Sequence, residues 1–159
     1  MKDKSYNHYS PVPIGHEIII SHRDFCPYWK GKTIHIWRDD MANNSCKFVS
    51  EGRDGGNSDL HLIINYKDGE SLFNANVTID EIASFARISE SLLIHCTVGQ
   101  TRSPTIALIA KIARGASPYQ ALGDIMKANW DMRGIVSNFC LTPVKEILEW
   151  ADHYTVIIH

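Results

Sequence analysis

The order of the chain predicts an α/β architecture: a central, largely parallel sheet of about four to five strands flanked by helices. Three observations carry this prediction. Short runs rich in Ile, Leu and Val come first, at strand length. Longer apolar-periodic runs opened by Ser or Thr follow. The links between strands are long enough for the crossovers that parallel pairing requires.

The strand candidates are "EIIIS" (17–21), "TIHIW" (33–37), "LHLIIN" (60–65) and "SLLIHC" (91–96). Between the second and third, "VSEGRDGGNSD" (49–59) has the Gly, Asn, Ser and Asp content of a loop and reads as a connector within one domain spanning 1–159. The first helix candidate, "VTIDEIASFARIS", places Thr78 three residues before Glu81 as a capping box and sets Ile79, Ile82, Phe85 and Ala86 on one face. "SPTIALIAKIARG" predicts a buried central helix with Ser103 as N-cap, Pro104 in the first turn and an end at Gly115. The same opening recurs in "SPYQALGDIMKAN", from Ser117 and Pro118, and in "TPVKEILEWADHY", from Thr142 and Pro143.

With 159 residues, 44% hydrophobic and 21% charged, the chain has the size and composition of one domain with a substantial core. A formal charge of −2 argues against nucleic acid and anionic membrane as partners, so any anion recognition must be local. The opening "MKDKSYNHYSPVPIG" has no apolar h-region, and no run is long enough to span a membrane; the expectation is a cytoplasmic protein with no membrane partner. Cys26, Cys46, Cys96 and Cys140 form no CxxC pair, and the eight histidines show no HxxxH or HxH spacing. No metal and no cofactor is expected, and the histidines read as ordinary surface or structural residues. A disulfide protecting Cys96 has no spacing to support it.

The chemistry concentrates in "LLIHCTVGQTRSPT" (92–105). The apolar run delivers Cys96 to the carboxyl edge of the sheet, where α/β proteins carry their functional loops. The helix that follows aims its unpaired N–H groups back at the same space. Five residues bridge the two, and Gly99 can take the positive φ that turns successive amides inward as an anion nest. Arg102 adds a planar fork that matches two oxygens of a phosphate. The same positive field favours the thiolate of Cys96. A Cys-x5-Arg pair alone occurs by chance in roughly one chain in ten of this length, whereas the joint His, Cys, Gly, Arg, Ser pattern falls to on the order of one in ten thousand.

"HCTVGQTRS" resembles the His-Cys-x5-Arg-Ser/Thr signature of the cysteine-dependent protein tyrosine phosphatase superfamily, and the length resembles its compact, dual-specificity-like members. The likeness extends through "SPYQAL" and through "MRGIVSNFCL" (132–141), with Ser137 where the family usually has Pro. It implies a protein tyrosine phosphatase-like fold and a phosphatase that acts through a phosphocysteine on Cys96. Arg102 and the amides of Thr97, Val98, Gly99, Gln100 and Thr101 would bind the phosphate oxygens. Ser103 would stabilise the thiolate as it leaves, and His95 would fix the loop and tune the cysteine. The implied partner is a phosphorylated protein or a small aryl phosphate. Because the loop carries no charged side chain of the kind lipid-phosphate members use, the expected substrate is phosphotyrosine, with phosphoserine or phosphothreonine next.

The reaction also needs a general acid. Asp68, just past a strand end and 28 residues before Cys96, is the candidate; Asp68 and Gly69 equally make a common turn pair. Its rivals are Asp59, ahead of its strand, and Asp80, which a helix first turn explains fully. Tyr28, Trp29, Trp37 and Tyr66 could wall a pocket but read more simply as core or surface. Trp130, near a helix end, is expected to pack inward. The alternatives are a phospho-binding module without turnover, and a sulfurtransferase of rhodanese type or an arsenate reductase, whose loops do not usually carry this string.

Overall fold

The computed structural model of the protein describes residues 11–22, 25, 29–37, 60–67, 69–88, 90–96, 102–134 and 139–157. Their core is a five-stranded sheet: β1 (Val12–Pro13), β2 (Ile18–His22), β3 (Lys32–Trp37), β4 (His61–Asn65) and β5 (Leu92–Cys96), in the order β1-β2-β5-β3-β4. Only the β1–β2 pair is antiparallel; β2–β5, β3–β5 and β3–β4 run parallel. The expected strands are all present within a residue of their predicted bounds. β1 was not foreseen, because it is two residues long and contains Pro13, which has no N–H for a ladder and so fits only an edge.

Four helices follow: α1 (Ile79–Ala86), α2 (Arg102–Ala113), α3 (Pro118–Arg133) and α4 (Leu141–Ile157). The Thr78/Glu81 capping box is formed in both directions, at 3.0 and 3.1 Å. Ser117 caps α3 by accepting from the Gln120 N–H, and Gly134 ends that helix in the left-handed region at φ 66°. The start of α2 differs from expectation. The helix opens at Arg102, two residues early, so Ser103 lies in its first turn and is not the N-cap. Likewise α4 opens at Leu141, with Val144 donating to the Cys140 carbonyl, and Thr142 is not the cap. Both prolines then stand third in their helices, where the missing N–H would have had no intrahelical acceptor anyway.

Period-2 alternation divides the sheet. Ile18, Ile20, Ile34, Ile36, Leu62, Ile64, Leu92, Ile94 and Cys96 join Ile106, Leu108, Ile109 and other helix residues in one core cluster. All twelve residues of α2 are buried, which explains why its sequence is apolar all round instead of amphipathic. The opposite face of the sheet carries Ser21, Thr33, His35 and His95, each at most 1% exposed. Among the described residues no helix is long and apolar enough to cross a membrane. Trp130 does not pack inward: it is 59% exposed on the outer side of α3.

Candidate active site

β5 is the central strand, hydrogen-bonded to β2 on one side and β3 on the other, and all five of its residues are buried. Its last residue, Cys96, pairs with His22 in the β2 ladder, one position beyond the end of the β3 ladder at His35 and His95, and α2 begins six positions later with Arg102. Both are nearly inaccessible, at 3% and 8% exposure. The Arg102 Nη1 donates to the backbone carbonyl of Tyr66 at 3.2 Å. Tyr66 immediately follows β4 and is itself core, not pocket wall. That bond ties the start of α2 to the β4 edge, two residues ahead of the position of Asp68. Asp68 and the loop residues Thr97, Val98, Gly99, Gln100 and Thr101 lie outside the described residues, as do Asp59, Tyr28, Cys26, Cys46 and Ser137.

Ser103 is fully buried, and its Oγ has no hydrogen-bond partner among the described residues. A buried hydroxyl left without a partner costs about 1–3 kcal/mol, so a native structure that keeps one calls for an explanation. On the β4 side, Glu70 N–H donates to the Lys67 carbonyl at 3.2 Å and Gly69 has φ +82°. The conformation at Gly69 is one that L side chains rarely adopt, and a Cβ there would meet Cys140 Sγ at 3.7 Å. Asp80 accepts from the Trp150 indole N–H at 2.8 Å in the first turn of α1, which accounts for it without catalysis.

His95 was expected beside Cys96; its neighbours were not. Its Nε2 is 2.7 Å from His35 Nδ1, and His35 Nε2 is 3.1 Å from His61 Nδ1. The three imidazoles come from β5, β3 and β4. Register explains the contact, since His35 is the direct partner of His95 in the β3–β5 ladder. The His35 ring meets His95 edge-on and stacks on His61. Burial is the main force on their ionisation: desolvation, with the neighbouring imidazoles adding, pushes His35 down to about 2. Desolvation likewise pushes His95 down to about 3, opposed in part by the adjacent Cys96 backbone. Both rings are neutral at physiological pH. Their nitrogens pair with one another and do not converge on a point, and among the described residues no cluster is arranged to hold a metal ion.

Sequence reading gave His95 a role through the family resemblance but took His35 and His61 for ordinary residues. The signal was present in another form: each of "TIHIW", "LHLIIN" and "LLIHC" carries one imidazole inside an otherwise apolar strand. A groove of about 450 Å³ between the 3-10 turn Leu72–Asn74, α1 and α4, lined by Phe73, Val77, Glu149 and Trp150, contains none of these groups. Trp29 packs its ring at Gly31 and donates to the Lys32 carbonyl, a structural role.

No protein-family model matches the chain, and no curated protein sequence matches it. Solved structures do. The chain is similar to PTPMT1 in complex with PI(5)P, with 15% identity and a TM-score of 0.64, covering 94% of this chain and 99% of that one. It is similar to human tyrosine phosphatase-like serine/threonine/tyrosine-interacting protein, with 13% identity and a TM-score of 0.66, covering 91% and 97%. It is also similar to human DUSP28, with 11% identity and a TM-score of 0.58, covering 94% and 98%. At these identities the likeness is one of architecture: a central, mostly parallel sheet with the strand-loop-helix of 92–113 at its centre. The chain has the fold of the compact, dual-specificity-phosphatase-like cysteine phosphatases.

Proposed function

We propose that the protein hydrolyses phosphomonoesters, with phosphotyrosine on proteins the expected substrate. In this reading the Cys96 thiolate attacks phosphorus and the ester oxygen departs with a proton from Asp68, leaving a phosphocysteine. Water, deprotonated by Asp68, then attacks phosphorus, and the S–P electron pair returns to Cys96 as thiolate. Arg102 and the amides of 97–101 bind the nonbridging oxygens throughout. The observation that carries the reading is the placement of Cys96 at the end of the central buried strand with Arg102 and Ser103 opening the buried helix.

Two further features support it. The carbonyl of Tyr66 fixes the Arg102 guanidinium through Nη1, which pre-orients a planar donor group before any ligand arrives. The Ser103 Oγ, without a partner among the described residues, is a donor available to the Cys96 sulfur as it leaves phosphorus as thiolate. PTPMT1 is seen with a phosphoinositide, but here Thr97, Val98, Gln100 and Thr101 bring no charge for a polyanionic head group, which favours a phosphoprotein.

Hydrolysis of an aryl phosphate tests the reading. Cys96→Ser is expected to lose at least about a thousandfold in kcat. Asp68→Asn is expected to slow esters with poor leaving groups more than those with good ones. Full activity in Cys96→Ser would overturn the mechanism. A wild type that binds phosphopeptide without turnover would establish the phospho-binding alternative, a role suggested by the likeness to an interacting protein.

A further inference from the structure

We infer that His35 and His61 are positioning residues for Cys96, holding His95 in the single tautomer whose Nδ1–H is directed at the Cys96 carbonyl. The inference rests on reading Cys96 as the nucleophile, and it follows from counting protons on the imidazole chain. Each neutral ring has one donor and one acceptor nitrogen. The neighbouring Cys96 backbone favours the protonated form of the ring, which is the influence of a carbonyl and not of an N–H. With Nε2 taken by His35, Nδ1, buried and without a hydrogen-bond partner among the described residues, is the nitrogen left to face that carbonyl.

His95 Nε2 must then accept, so His35 Nδ1 carries a proton. Being neutral, His35 accepts at Nε2, so the proton in that second contact comes from His61 Nδ1. One tautomer at the cysteine therefore fixes two more, and conversely the outer rings fix the inner one. His35 is fully buried, while His61 is only partly so and forms the outer end of the chain. The other titratable group facing His95 is His22 of β2, whose register partner is Cys96 itself. Arg102 and Ser103 approach from the start of α2.

The consequence is for the nucleophile. If His95 flipped its proton to Nε2, a ring lone pair would face the Cys96 carbonyl and the peptide would rotate away. That peptide begins the loop whose amides must point at the anion. Loss of the chain should therefore weaken stabilisation of the thiolate without removing any group that touches substrate.

Two measurements on the full chain test this. Long-range ¹H–¹⁵N correlation of the histidine rings at pH 7 is expected to show both His95 and His35 protonated at Nδ1; an Nε2 proton on either overturns the inference. The pH profile of Cys96 alkylation by iodoacetamide is expected to move up by about one unit in His35→Phe and by less in His61→Phe. His35→Asn, which keeps an N–H near the Nδ1 position, should stay close to wild type. Profiles in both Phe variants that coincide with wild type would overturn the inference. If His35→Phe does not fold, His61→Phe and the ring tautomers decide it. Neither readout needs turnover. An inactive wild type with the predicted tautomers and profiles would overturn the phosphatase reading alone, and an active one with wrong tautomers would overturn only this.

Discussion

The two ends of the parallel sheet bury similar amounts of polar chemistry and treat it in opposite ways. At the amino end, Lys111 is completely buried in α2, yet its Nζ donates to the Ile14 carbonyl at 2.5 Å, meets His16 Nδ1 at 3.0 Å and pairs with Asp124 at 3.1 Å. Three residues further on, Arg114 donates to the carbonyls of Ala86, His16, Ile88 and Glu90, all within 2.7 Å. These two cations stitch α2 to the β1–β2 turn, where Gly15, His16 and Glu17 all have positive φ, and to the segment entering β5. At the carboxyl end, nine residues earlier on the same helix, Arg102 is held at Nη1 and Ser103 has no described partner at all. The two cations at the amino end are ringed by acceptors, whereas at the carboxyl end a buried hydroxyl has none among the described residues.

The pH dependence of stability gives the largest effect. His35 and His95 titrate near 2 and 3 in the folded protein against about 6.5 when unfolded, so below pH 6.5 the unfolded chain binds protons that the folded chain does not. Their stabilising contribution is complete above pH 6.5 and is lost as pH falls, at roughly 1.4 kcal/mol per pH unit for each ring. Between pH 6.5 and 5 the pair accounts for about 3 kcal/mol. Urea unfolding across that range should show it, and His35→Phe should remove about half of that slope. An unchanged slope would mean that the rings are not neutral and buried as described.

Lys111→Ala at the amino end comes next. It leaves the Ile14 carbonyl without its donor and Asp124 without its cation, at a cost of about 2–3 kcal/mol, the lower part of the range because Asp124 is partly exposed. Thermal or urea unfolding measures it. On the present comparison kcat should change less than about threefold, since ordinary catalytic losses are tenfold per 1.4 kcal/mol and no lost contact lies at the carboxyl end.

Ser103→Ala at the carboxyl end gives the smallest change in stability and the opposite pattern. Removing an unpartnered buried hydroxyl is expected to leave stability unchanged or raise it by up to about 1 kcal/mol. Turnover should fall, with a pre-steady-state burst of released phenol as the phosphocysteine accumulates. A large loss of stability with no burst would make Ser103 a structural residue and erase the contrast between the two ends.

Much of this molecule was legible along the chain because the signals are local. Four strands showed as short β-branched runs, and the Thr78 and Ser117 caps as side chains within three residues of the amides they bind. The site's chemical class showed because Cys96, Gly99, Arg102 and Ser103 share one strand-loop-helix. The helix starts at Arg102 and Leu141 were misplaced by two residues, since a proline is equally tolerated throughout a first turn. Trp130 was misjudged because periodicity alone does not say which side of α3 the rest of the fold covers.

Sequence by itself determined the α/β class, the central strand, the buried helix after it and the positions of Cys96 and Arg102 at their junction, all carried by signals a few residues apart. Tertiary structure alone decided that Arg102 would be anchored by a carbonyl 36 residues away and that Lys111 would reach back 97 residues to Ile14. It also decided that histidines 60 and 26 residues apart would become one hydrogen-bonded chain. The physical reason is strand register. Parallel pairing sets which residues of β4, β3 and β5 lie side by side, and that alignment is chosen by the burial of whole sheet faces, not by anything near His35, His61 or His95 in the chain.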